Sequence, residues 1–147
     1  MEFESMWGIF SDESSCVVDN VPYYVYGVSK GDAVAIENVD GELFVSSVIS
    51  RGGHSILRVF AEDPGTKASL ISELKLLGAQ CSATRGLSLF AVDIPPEIDF
   101  TKIDAFLASR CDGEHLAYED ACLQHGGIDG DRVRECESLA SVSLRLH

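Results

Sequence analysis

The sequence is short of positive charge. Its 147 residues include 11 Lys and Arg against 24 Asp and Glu, a formal net charge of −13. A surface this negative repels nucleic-acid backbones and anionic lipid headgroups, so neither is expected as a partner. Long apolar runs are also missing. No stretch approaches the ~20 apolar residues that span a bilayer. The start, Met1-Glu2-Phe3-Glu4-Ser5, lacks the basic and apolar regions of a secretory signal, which predicts a cytoplasmic protein. The five cysteines, Cys16, Cys81, Cys111, Cys122 and Cys136, are scattered and form no C-x-x-C pair. They read as reduced, mostly buried thiols rather than a disulfide framework or zinc knuckle. There is no internal repeat and no low-complexity segment.

Apolar content is ample. Hydrophobic residues make up 46% and the mean hydropathy is +0.10, enough to bury a core and to argue against disorder. The length fits one ordinary domain or two small ones. Charge is uneven along the chain. Residues 1–53 carry a net charge of −7, residues 54–123 carry −5 and residues 124–147 carry −1.

The first third reads as β structure. Runs over Phe3–Phe10, Cys16–Val18, Tyr23–Val28, Ala33–Val39 and Glu42–Ser50 are rich in aromatic and β-branched residues. Asp40-Gly41 between two such runs is a strong hairpin signal. Residues 1–53 are therefore expected to form a small acidic β subdomain, a curled sheet or barrel. Arg51-Gly52-Gly53 marks its end.

Residues 54–123 alternate in type. Strands are expected over Ser55–Ala61, Gln80–Thr84, Leu87–Ile94 and Leu116–Leu123. Leu70, Ile71, Leu74 and Leu77 share one face at helical spacing, as do Ile103, Phe106 and Leu107. Thr66 and Asp99 are the expected N-caps, and Gly78 the C-terminal glycine of the first helix. The order β-α-β-β-α-β in about 70 residues is the ferredoxin-like signature. Residues 124–147 form a tail, read as either a helix over Arg132–Leu146 or a frayed extension. The class is α+β.

Chemistry is thin. Of the four histidines, only His54 has a distinctive setting, Gly52-Gly53-His54-Ser55. Two glycines allow a sharp turn or close approach, so the ring is either a general base in a cleft or a histidine bonded to the junction. With no paired nucleophile visible, the second is favoured. No spacing suits a metal. Asp129-x-Asp131 opens like a calcium loop but lacks the later ligands. No phosphate loop or dinucleotide fingerprint occurs, so no cofactor is expected. Glu119 and Asp120 adjoin on a strand and should face opposite ways. Tyr23-Tyr24-Val25-Tyr26 reads mainly as core, leaving a tyrosine as a candidate interface anchor.

Several runs, taken in order, resemble one family. They are Asn20-Val21-Pro22, Tyr26-Gly27-Val28-Ser29, Gly31-Asp32, Gly53-His54-Ser55, Leu57-Arg58-Val59, Gly78 and Ala91-Val92-Asp93-Ile94-Pro95. Together they resemble the bacterial domain of unknown function 4265 family over about residues 5–123. The resemblance implies a small bacterial cytoplasmic protein and carries over no catalytic residue. By analogy, some small acidic bacterial proteins of this kind are immunity proteins.

The leading expectation is a non-catalytic binding protein, an immunity protein that occludes the active site of a basic toxin. Glu37, Asp40 and Glu42 would make the contact, with Tyr24 or Tyr26 as anchor. An alternative is an enzyme or small-ligand sensor with Asp32, His54 and Arg58 converging on a pocket. A third is an oligomeric regulatory or scaffold protein.

Overall fold

The computed structural model describes residues 3–12, 14–21, 26–139 and 143–146. It is a mixed α+β structure with two sheets and three helices. Five strands come first: β1 (Phe3–Met6), β2 (Gly8–Asp12), β3 (Ser15–Val18), β4 (Ala33–Val39) and β5 (Glu42–Ser50). The expected run Phe3–Phe10 is thus two strands broken at Trp7. The strand expected over Tyr23–Val28 is not formed at Tyr26–Val28, and residues 22–25 lie outside the described residues. β4 and β5 make the expected hairpin. Asp40 and Gly41 both adopt positive φ, 54° and 87°, the geometry of the two-residue turn that matches strand twist. Asn38 Oδ1 accepts the Gly41 N–H at 2.9 Å.

The middle of the chain runs β6 (Ser55–Ala61), α1 (Pro64–Leu76), β7 (Gln80–Ala83), β8 (Leu89–Ile94), α2 (Phe100–Arg110) and β9 (Leu116–Cys122). These four strands form an antiparallel sheet in the order β7-β8-β6-β9. Asp63 caps α1, accepting the Thr66 N–H at 2.8 Å. The cap is therefore not Thr66: Pro64 has no N–H to offer and sets the helical φ, so the helix starts one residue after Asp63. Asp99 caps α2 as expected. Both helices pack on one face of the sheet. Leu70, Leu74, Ile103 and Leu107 meet Leu57, Val59, Phe90, Val92 and Ile94, all within 2% of full burial. Each such side chain contributes about 1.5–3 kcal/mol relative to exposure. The opposite face of β6 presents Ile56, which packs with Ala121, Cys122, Val21 and Tyr26.

The tail is neither one long helix nor an extension. Its helix, α3 (Gly130–Glu137), is shorter than expected, and β10 (Ser143–Leu146) follows. Asp129 caps α3, the use to which this aspartate is put in place of a calcium loop. Arg132 holds α3 down. Its guanidinium reaches Asp104 of α2 at 2.9 Å and Asp120 of β9 at 2.7 Å and lies 5.4 Å from the Phe100 ring. β10 pairs in parallel with β1 and antiparallel with β5.

The first sheet accordingly has six strands in the order β1-β10-β5-β4-β3-β2. β1 and β2 lie at opposite ends of that order, yet only Trp7 separates them in sequence. The sheet must therefore curl until its two ends meet at Trp7. Met6, Cys16, Val18, Val28 and Val34 fill its interior.

Candidate functional site at the junction of the two sheets

Residues 51–54 link β5 to β6 and bring the two sheets together. The approach is close. A Cβ on Gly52 would lie 2.7 Å from the Gly31 carbonyl oxygen, and one on Gly53 would lie 2.9 Å from Pro96 Cβ. Only glycine fits at these positions.

Asp32, just before β4, is fully buried at this junction. Its carboxylate accepts the N–H groups of Ser29 and Gly52, each at 2.9 Å. Gln124 Nε2 reaches both oxygens at 3.0 Å. Arg51 Nη1 lies 3.2 Å from Oδ2 and also donates to the Gly27 carbonyl. The other end of the Gln124 amide accepts the Gly53 N–H at 2.8 Å. A buried charge needs this number of donors to remain in place. Asp32 thus ties the β3–β4 connection, the glycine linker and the segment after β9 into one unit.

His54 does not join Asp32. Its Nδ1 stands 2.8 Å from Oδ1 of Asp93 on β8. Asp93 is fully buried, and its Oδ2 has no partner among the described residues. Burial pushes the Asp93 carboxyl above the usual range, opposed by the His54 hydrogen bond. The imidazole is 20% exposed and stacks its Cδ2 edge against the space a Cβ on Gly31 would fill. A carboxylate that fixes Nδ1 leaves Nε2 as the working nitrogen, the arrangement of an oriented acid–base histidine.

The neighbouring hydroxyl is committed elsewhere. Ser55 Oγ, also buried, lies 2.6 Å from His125 Nδ1 and accepts the N–H groups of Gln124 and His125 at 2.9 and 3.2 Å. His125 Nε2 is 2.9 Å from the Pro95 carbonyl. That carbonyl can only accept, so Nε2 donates, Nδ1 accepts and the Ser55 hydroxyl donates to it. The pair is a latch that closes the segment after β9 onto β6 and β8.

Arg58 sits further along β6, 2% exposed, with its guanidinium 4.7 Å from the Tyr26 ring centroid. The Tyr26 hydroxyl donates to Glu119 at 3.0 Å. Burial, reinforced by Glu119, raises the Tyr26 phenol above its ordinary value. Tyr26 is thus half-buried, packed beside Ile56 and bonded to Glu119, and Tyr24 lies outside the described residues. Glu119 and Asp120 face opposite ways, toward Tyr26 and Arg132 respectively. Glu37, Asp40 and Glu42 are all exposed at the β4–β5 hairpin tip.

A cavity of about 160 Å³ opens beside the junction, lined by Gly27, Arg51, Cys122, Gln124, Cys136 and Glu137 among others. His54, Asp32 and Arg58 are not in its wall. Burial raises the thiols of Cys122 and Cys136, the latter to about 12. Among the described residues no group of His, Cys, Asp and Glu is placed to hold a metal ion, and no helix is long and apolar enough to cross a membrane.

Sequence reasoning missed Asp93, Ser55, Gln124 and His125. The signal for Asp93 was an aspartate inside the otherwise apolar run Leu89–Ile94. A charge in a buried strand needs a partner. Gln124 and His125 gave no such signal, since they follow a strand as ordinary loop residues.

No curated protein matches the sequence. Among solved structures, the fold is similar to that of a hypothetical protein from Neisseria gonorrhoeae. The two share 22% identity with a TM-score of 0.67, over 82% of this chain and 84% of that one. The family model of the domain of unknown function DUF4265 matches residues 4–118. That stretch holds Asp32, His54, Ser55 and Asp93 and stops short of Gln124 and His125. The chain belongs to this family.

Proposed function

We propose that the protein is a non-catalytic bacterial binding protein of the cytoplasm, an immunity protein that neutralises a basic toxin by covering its active site. One observation carries the reading. The first 53 residues contain two basic side chains, Lys30 and Arg51, and Arg51 is tied to Asp32. Glu37 and Asp40, exposed at the hairpin tip, make no ion pair among the described residues. Glu37 and Asp40 therefore present uncompensated negative charge at the hairpin tip, which steers a basic partner and repels nucleic acid and anionic membranes. The βαββαβ order of β6 to β9 and the strand order β7-β8-β6-β9 support a ferredoxin-like reading of the second half. In this proposal that half is the scaffold, and the curled sheet of the first half is the acidic module.

The test is capture from the native cell. Tagged protein should retain a basic protein. Lysine at Glu37, Asp40 and Glu42 together should abolish retention without changing the unfolding midpoint. Capture of nothing, or of an acidic protein, overturns the proposal.

A second reading rests on the oriented imidazole of His54 and the unpartnered Asp93 Oδ2. Here the junction is an enzyme or sensor site for a small ligand. A His54→Ala chain that is still fully folded at the assay temperature but has lost its biological effect would favour it.

A further inference from the structure

We infer that β2 is the docking edge of the protein, and that it takes up an extended basic segment of the partner as an added strand. The inference rests on the binding-protein reading and names the surface and the partner chemistry within it.

Among the described residues β2 pairs with β3 alone. No strand among them pairs with its other edge, and an open strand edge offers N–H and C=O groups to an incoming chain. Soluble proteins usually blunt such an edge with lysine, proline or burial. β2, Gly8-Ile9-Phe10-Ser11-Asp12, has neither residue, and Ile9 to Asp12 are exposed among the described residues. Ile9 is 59% exposed and Phe10 55%, and Trp7 immediately before them is 64% exposed. Ile9 pairs with Val17 and Phe10 with Cys16, so the two side chains lie on opposite faces of the sheet. An added strand would find an apolar contact on each face. The register shift between Phe10 and Asp12 ends the available edge, as bulges do at sheet rims.

Charge selects the occupant. The first 29 residues hold five acidic side chains and no basic one, Lys30 being the first. Asp12 and Asp19 are exposed near the two ends of the β2–β3 pair. A second copy of this chain would bring like charges together along the seam, and an acidic segment would be repelled in the same way. A strand alternating lysine or arginine with apolar residues satisfies the backbone, the apolar side chains and the charge together. Acidity here does the blunting that lysine does elsewhere, and it does so selectively.

The probe is a synthetic octapeptide alternating lysine and valine, added to the intact chain at low salt while backbone amide resonances are followed. Shifts centred on residues 8–12, with slowed amide exchange there, are expected. The same peptide N-methylated at alternate amides keeps its side chains and loses strand donors, and it should bind at least about tenfold more weakly. A doubly substituted Ile9→Lys, Phe10→Lys chain should lose the interaction while Glu37→Lys, Asp40→Lys retains it. Equal binding of the methylated peptide, shifts centred elsewhere, or self-association of the free chain through β2 each overturns the inference. These outcomes differ from failure of the binding-protein reading itself, in which the wild-type chain captures no basic protein from its native cell.

Discussion

Replacing His54 by alanine removes the 2.8 Å hydrogen bond to Asp93. Among the described residues it leaves a fully buried carboxyl with neither oxygen partnered. A hydrogen bond to a charged group contributes about 1.5–3 kcal/mol, and stripping one member from a buried pair costs about 3–5 kcal/mol. The ring is partly exposed, so the lower part of that span applies, about 2–3 kcal/mol at pH 7 against a total stability of about 5–15 kcal/mol. In urea this moves the midpoint down by about 1–2 M. The loss should depend on pH. Asp93 has a folded pKa above its reference value of 3.8. Its contribution to stability is complete below that reference value and is lost as pH rises through the folded value. Without His54 the folded value rises further, because the hydrogen bond and charge that lowered it are gone. The substitution should therefore cost least near pH 4, less than about 1 kcal/mol. Asp93→Asn should offset most of the loss at pH 7 in the double variant. Urea melts of the four proteins at pH 4 and pH 7 measure both effects. Equal losses at the two pH values, or additive effects of the two substitutions, refute the reasoning.

Three other outcomes follow from the same structure. Gly52→Ala drives a Cβ to 2.7 Å from the Gly31 carbonyl oxygen and should destabilise by at least about 2 kcal/mol through overpacking, whereas Gly126→Ala, with open space around it, should stay within about 0.5 kcal/mol; denaturant midpoints compare them. Arg132→Ala leaves Asp104 and Asp120 facing each other without their shared cation and should cost about 3 kcal/mol. Arg132 chiefly depresses the Asp104 carboxyl, so this contribution is present above the reference pKa of 3.8 and fades as pH falls through the folded value. An acid titration of stability should be flatter in the variant. Truncation after Leu139 removes β10 from between β1 and β5 and should abolish amide protection in β1 while β6–β9 stay protected, as read by hydrogen exchange.

What the sequence made legible was local. Asp40-Gly41 specified its hairpin because the turn conformation depends on those two residues alone. The β6–β9 unit was readable because each of its elements carries its own periodicity and its own breaker, such as Gly78 or Pro95. The ties at the junction were not readable. Asp32 and Gln124 are 92 positions apart, and His54 and Asp93 are 39 apart. Nothing in the local pattern of either partner names the other. The pocket expected from Asp32, His54 and Arg58 assumed that polar residues near a glycine linker face one another, but each has a different partner. β10 was hidden for a related reason. Ser143–Leu146 alternates weakly, and its strand state depends on pairing with Phe3–Met6, which no window of sequence contains.

The position of β10 also sets an order of events during synthesis. Phe3 and Ser143 are register partners, so β1 stays without its neighbour while the 139 residues between them are made. At ordinary translation speeds that interval is on the order of ten seconds. The β6–β9 sheet is complete once Cys122 has emerged and can form in the meantime from contacts closer in sequence. The acidic sheet matures last. A newly made chain is thus unable to complete its six-stranded sheet until the residues of β10 have arrived between β1 and β5.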